Sequence, residues 1–282
     1  MEHKKKVRLK KIIQHTLLIA FTAVMLYPIV WMAGSSFKES SQVFINPHHI
    51  IPSEWNFENY IVGWEGFGGI TFSTFFMNSI FIATVATVGS VLFSAVVAYG
   101  FTRINFKGKR FWFVVMMLTM MLPFEMVMIP QYIMFNWFGW IDTYLPLILP
   151  SFFGVPFFIF LIMQFIRTIP KELDQAAMID GCNSISIFFR IILPLVVPAM
   201  MTAAIFSFYW RWDDFMSPLI YLQTPQKYPV SLALNLFADP DSVTNWGALF
   251  AMTTLSLLPI IVVFFIFQRY IVEGISTSGL KS

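Results

Sequence analysis

Charge is scarce in this chain of 282 residues. Only 12% of them are Asp, Glu, Lys or Arg, about half the share of a soluble domain. A fold kept in water by a charged surface is therefore excluded. Cysteine is scarcer still: Cys182 stands alone, which rules out a disulfide framework and any multi-cysteine metal site. The four histidines (His3, His15, His48 and His49) form no HExxH pair, so no metal is expected. There is no GxxxxGK[ST] phosphate loop, because Gly108-Lys109 has no glycine at the required spacing before it. GxSxG, CxxC and GxGxxG are missing as well. The chain is expected to hold no cofactor and to catalyse nothing. Its basic residues sit beside apolar runs instead of alternating with aromatics on a polar face, so nucleic acid is not an expected partner.

What is present is apolar. Hydrophobic residues make up 57% of the chain, with 33 Phe, 17 Met and 9 Trp, and such a chain cannot stay solvated as a disordered one. Six stretches are long enough to cross a bilayer, at about 12–34, 75–99, 111–135, 145–166, 193–213 and 247–268. The first follows a basic segment, as a signal peptide would. It is too long for a signal core, and Trp31-Met32-Ala33 offers no cleavage site. The reading is an all-α membrane protein, a single domain over 1–282 with six transmembrane helices.

Cations set the expected topology. Lys4, Lys5, Lys6, Arg8, Lys10 and Lys11 precede the first stretch. Arg103, Lys107, Lys109 and Arg110 lie between the second and third, and Arg167, Lys171 and Arg190 between the fourth and fifth. Arg269 and Lys281 follow the sixth. All fall on one side, which the positive-inside rule makes the cytoplasm, with both termini there. The opposite loops carry Glu39, Glu54, Glu58, Glu65, Asp142, Asp239 and Asp241.

Pro123 and Pro130 interrupt the third stretch, while Pro146, Pro150, Gly154 and Pro156 crowd the fourth. Each proline removes a helical hydrogen bond, so these spans are either kinked for packing or line a cavity that opens and closes. Glu125, Arg211, Asp213 and Asp214 lie at membrane depth, where charge is costly and faces a cavity or a partner. One reading is a structural Arg–Asp pair or an interfacial position. The other is a polar patch with Trp210 and Trp212, suited to stacking on sugar C–H faces and accepting hydroxyl hydrogen bonds.

The segment 167–192 is the most informative. Pro170, Glu172 and Asp174 suit a first helical turn, Gly181 a left-handed stop, and Asn183 or Ser184 the cap of a second helix. Leu173, Ala176, Ala177 and Asp180 share one face of the first helix, which either lets another surface approach closely at the alanines or is an interfacial amphipathic turn that only anchors the loop.

Gln175-Ala176-Ala177-Met178-Ile179-Asp180-Gly181, with Leu193-Pro194 downstream, resembles the cytoplasmic E-A-A-x-x-D-G loop of permease subunits in bacterial ATP-binding-cassette (ABC) importers. Gln175 departs from the usual glutamate. Trp210-Arg-Trp-Asp-Asp-Phe-Met-Ser-Pro and the tail Gln268-Arg-Tyr-Ile-Val-Glu-Gly-Ile-Ser-Thr-Ser-Gly resemble the carbohydrate-uptake branch, which includes maltose and glycerol 3-phosphate importers.

The resemblance implies the type I importer permease fold in a bacterial cell membrane. It further implies a heterodimer with a second permease, two cytoplasmic ATPases that carry the ATP and Mg, and an extracytoplasmic sugar-binding protein. In that assembly Glu172, Asp174, Gln175, Ala176, Ala177, Asp180 and Gly181 would dock on the ATPase. Glu125, Trp210, Trp212, Asp213 and Asp214 become candidates for the substrate path. The stiff, apolar loop 221–246, with Pro225, Pro229 and Pro240, either folds back on the permease or reaches the binding protein through Tyr228, Leu234, Leu236 and Phe237. The tail 274–282 would enter the ATPase interface. An ion-coupled secondary transporter, or another polytopic membrane protein, is the alternative.

Overall fold

A computed structural model describes residues 2–45, 47–238 and 245–279. Their regular structure is helical, and the isolated bridge Phe67–Ile70 is the one strand-like pairing among them. Four helices are long and apolar enough to span a bilayer: Arg8–Ser35, Phe72–Arg103, Leu145–Thr168 and Trp246–Tyr270. Two further candidates are bent pairs. Lys109–Thr119 and Phe124–Trp137 meet at 101°, and Ser184–Leu195 and Val197–Asp213 at 73°. Each expected stretch is thus met by a helix or a bent pair. The sharper bend falls where Pro123 holds an extended backbone (ψ 147°) and disfavours helix in the residue before it.

The chain divides into two compact units. The first takes Met1–Phe72 and Leu234–Leu257. Its Arg8–Ser35 span buries none of its apolar window, leaving that surface for lipid or a partner. Beyond Ser35 the chain is held by Asn59, whose buried amide donates to the carbonyls of Ser36 and Lys38, both at 2.8 Å. Phe37 gathers Trp55, Phe57 and Tyr60 around it at 5.0–5.4 Å between ring centres.

The second unit, Ser73–Ala233 and Leu258–Ser282, is organised around the Phe72–Arg103 helix. Ala95, Ala98, Ala199 and Ala203 are fully or almost fully buried beside Phe158, Ile162, Met163 and Ile166. In a bilayer, lipid is as apolar as leucine, so small residues that let helices approach supply the packing energy. Gly89 shows the limit, because a Cβ there would lie 2.5 Å from the Phe152 ring.

Polar side chains of the same helix tie down non-helical backbone that a membrane would leave unsatisfied. Ser94 Oγ accepts from Val155 N (2.9 Å) and Ser79 Oγ from Val230 N (2.8 Å). Asn78 donates to the carbonyls of Gln226 and Tyr228, and Tyr99 to that of Ser184. Ser90 and Ser207 share a buried hydroxyl bond of 2.8 Å.

The last helix stays helical through Gly279, so most of the tail 274–282 continues a helix instead of forming a separate strand of chain. Asp239, Pro240, Asp241 and Lys281 lie outside the described residues.

Candidate functional site

The 167–192 segment folds as a helix, a tight stop and a second helix. Glu172–Ile179 ends in a left-handed Gly181 (φ 81°). Gly181 N donates to Met178 O and Cys182 N to Ala177 O, the paired bonds that close orphan carbonyls at a helix end. Asn183 Oδ1 accepts from Ser186 N at 2.8 Å and caps the next helix. Of the two capping candidates the structure uses Asn183. A π turn, Phe188–Ile192, then leads into Leu193-Pro194. The wider turn accommodates the hydrogen bond and the space that Pro194 takes away.

The helix has two faces, and they differ from the grouping read in the sequence. Asp174 and Ala177 point inward and are buried, whereas Glu172, Gln175, Ala176 and Asp180 are exposed. Asp174 Oδ2 lies 2.7 Å from Arg103 Nε, with both side chains at least nine-tenths buried. Arg103 Nη2 also donates to Ile169 O (2.7 Å). The helix is thereby riveted to the end of Phe72–Arg103. Its outward face carries Leu173, Met178 and Ile179, the last 87% exposed.

A second feature is a cavity of about 480 Å³ in the second unit. Ser207, Trp210, Arg211 and Asp214 line it at i, i+3, i+4 and i+7, facing Phe124, Gln131, Pro146, Pro150 and Tyr221. Trp210 stacks on Phe158 (5.2 Å, 21°) and remains half exposed. Arg211 donates to Ser151 Oγ at 2.9 Å. The Arg–Asp pair considered from the sequence is absent; the ion pairs among the described residues are Arg103–Asp174 and Lys227–Asp142. Asp214 Oδ1 instead accepts from Ser217 N.

The other path candidates lie elsewhere. Trp212 is buried against Phe76 and Phe208, while Glu125 and Asp213 are exposed and do not line the cavity. Residues two apart on a helix cannot share a face, a signal that already separates Trp210 from Trp212. The same periodicity points to Ser207 and Arg211, which sequence reasoning left out of the path.

The loop after Tyr221 is short-helical: Val230–Phe237 buries Val230, Leu232 and Ala233 and exposes Leu236. Tyr228 and Leu234 are partly exposed, and Phe237 packs on Phe67 and Phe72. Asp142 clamps the start of this loop. Its carboxylate accepts from Lys227 Nζ (2.8 Å), Thr224 Oγ1 (2.5 Å) and the amides of Gln223 and Thr224. Lys227, then Thr224, hold the carboxyl well below the ordinary carboxylate range.

A depressed carboxyl stabilises above its unfolded value of about 3.9 and loses that effect only as pH falls through the lower folded value. The clamp is therefore whole from mild acid to neutrality. Asp142 itself is left-handed (φ 58°), which Asn tolerates. Asp142→Asn should loosen the loop by about 1–2 kcal/mol, given the pair's partial exposure. Amide exchange at 222–228 should rise several-fold at pH 7; unchanged exchange would deny the clamp.

Comparison with known proteins agrees with this architecture. Residues 90–277 match the family described as "Binding-protein-dependent transport system inner membrane component". The probable ABC transporter permease protein YurM of Bacillus subtilis is 37% identical over 94% of this chain and 86% of its own length. The arabinooligosaccharides transport system permease protein AraQ of Halalkalibacterium halodurans is 33% identical over 93% of both chains. The trehalose/maltose permease MalG of Thermococcus litoralis is 29% identical over 97% of this chain and 98% of that one. Among solved structures, a chain of a bacterial ABC transporter that imports the acidic polysaccharide alginate superposes with a TM-score of 0.80. It is 23% identical, over 93% of this chain and 96% of the other.

Proposed function

The chain belongs to the binding-protein-dependent transport system inner membrane components, the multi-pass cell-membrane permeases of ABC importers, and on that premise we propose that it forms half of a translocation path for a sugar or oligosaccharide. The family is one of transporters, not of enzymes. In this reading a second permease completes the path, two ATPases bind the ATP and Mg, and an extracytoplasmic sugar-binding protein delivers the cargo. Relatives named for arabinooligosaccharides and for trehalose or maltose support the cargo class.

The observation that carries the reading is the riveted helix Glu172–Ile179 with its apolar outward face. A chain without a phosphate loop must take its energy from elsewhere, and a rigid helix transmits displacement without absorbing it. Leu173, Ala176, Met178 and Ile179 would enter a cleft of the ATPase, with Glu172, Gln175 and Asp180 at the rim. Asp174 and Ala177 act from beneath, holding the helix in place. The cavity face of Trp210, Arg211 and Asp214 is the sugar-facing side: an aromatic platform beside a donor and an acceptor.

Tagged chain should bring down a second permease and an ATPase, and transport should require ATP. ATP-independent, ion-driven uptake by the chain alone would instead select the secondary transporter. Trp210→Ala should raise the sugar concentration for half-maximal uptake about twofold to twelvefold, since aromatic stacking contributes about 0.5–1.5 kcal/mol. Trp212→Ala should act through stability, at about 3–5 kcal/mol for a buried aromatic. Equal effects of the two on sugar dependence would reject this division.

A further inference from the structure

The loop that follows the first span contains a buried cation that the transport mechanism does not use. Lys38 is 4% exposed, and its Nζ has no hydrogen-bond partner. Among the described residues no carboxylate approaches it; its nearest compensation is the face of Trp31, 5.8 Å from the ring centre. A contact of that length offsets only part of the cost of burying an ammonium, and burial pushes the Lys38 amine below its ordinary value. Lys38 forms part of the wall of a cavity of about 150 Å³, with Gln42, His49, Ile51, Pro52 and Ser53. The amide, imidazole and hydroxyl groups can all donate, and among the described residues no acidic one lines the space. The site is built for an anion.

Its depth identifies which anion. Lys38 stands three residues beyond the end of the Arg8–Ser35 span, over a tryptophan in that span's last turn. Trp31 is pinned by donating to the carbonyl of Pro47 (2.6 Å). Tryptophan at a span terminus marks the headgroup level of a bilayer. Ile51 of the cavity wall, and Phe44, Ile45 and Trp55 of the same 36–57 loop, are all more than half exposed, which gives the loop an apolar rim suited to acyl chains and not to water. A docking protein's carboxylate would meet this rim as a poor match, whereas a lipid supplies phosphate and hydrocarbon together. We propose that Lys38, with Gln42, His49 and Ser53, holds the phosphate of an anionic phospholipid at the end of the first span opposite Lys4–Lys11. The lipid neutralises a charge that the fold leaves open and anchors the 36–57 loop beside the Tyr60–Ser36 hydroxyl pair (2.8 Å).

The test is native mass spectrometry of the full chain in detergent, titrated with phosphatidylglycerol, with a matched diacylglycerol, or with inorganic phosphate. Wild type should retain one phosphatidylglycerol about tenfold more tightly than Lys38→Met, and Lys38→Arg should keep most of that preference. Diacylglycerol should show no difference between the three. Phosphatidylglycerol should also raise the melting temperature of wild type but not of Lys38→Met, a readout that holds even where the variant's own stability changes. Equal retention by wild type and Lys38→Met overturns the proposal. Retention of inorganic phosphate alone, without preference for the lipid, keeps the anion site and rejects the lipid as its source. Loss of binding-protein association in Lys38→Met, with lipid retention intact, overturns the proposal in favour of a partner carboxylate.

Discussion

Asp174→Leu should destabilise the assembled transporter by about 3–5 kcal/mol, the usual result of removing one member of a buried ion pair. The variant strands the Arg103 guanidinium, which is nine-tenths buried and keeps only its bond to the Ile169 carbonyl. Helix Glu172–Ile179 then loses its rivet to Phe72–Arg103, and uptake should fall to near background. The double variant Arg103→Met/Asp174→Leu separates two roles. An apolar pair of similar volume restores packing, so the stability should return to within about 1–2 kcal/mol of wild type. Uptake should stay well below wild type, because methionine and leucine do not fix the register of the helix as a charge pair does. Full recovery of uptake in the double variant would reduce the pair to filler.

The second large effect is expected at Gly181. Nothing lies within 4 Å of a Cβ built there, so the cost of a side chain is purely one of backbone conformation. A β-branched residue at φ 81° pays about 1–3 kcal/mol, or unwinds the stop and re-aims the helix that Asn183 caps. Gly181→Val should therefore assemble normally yet lose uptake and substrate-stimulated ATP hydrolysis together. Gly181→Asn, which tolerates the left-handed region, should retain most of both. A valine variant that transports at the wild-type rate would remove this turn from the coupling mechanism.

Much of this fold is legible in the sequence because its signals are local. Span length, Gly181 and the Asn183 cap are each decided within a few residues. Asp174 is different. In sequence it reads as one more acidic residue in a first helical turn, and only its distant partner Arg103 turns it inward. The same holds for Asp142, which looks like an exposed loop acid until the backbone of Gln223 and Thr224 is folded against it. Trp210 and Trp212 are the opposite case: their spacing alone forbids a shared face, and a motif read as one string concealed it. The third stretch was legible in extent but not in shape, since Pro123 marks a break without giving its 101° angle.

The Phe72–Arg103 helix is gripped at both extremities: Asn78 and Ser79 hold the 226–230 backbone, and Arg103 holds Asp174. Between Asn78 and Arg103 an α-helix is about 38 Å long at 1.5 Å per residue, and no proline interrupts it. A stiff rod fixed this way has no slack in which to store a delay. Torque applied where Asp174 sits should arrive at Val230 on the timescale of elastic transmission, far faster than any hinge motion. If the helix Glu172–Ile179 is driven as proposed, the two ends should share one clock. Time-resolved distance probes at residues 176 and 226 should record a single relaxation rate, with neither end leading the other.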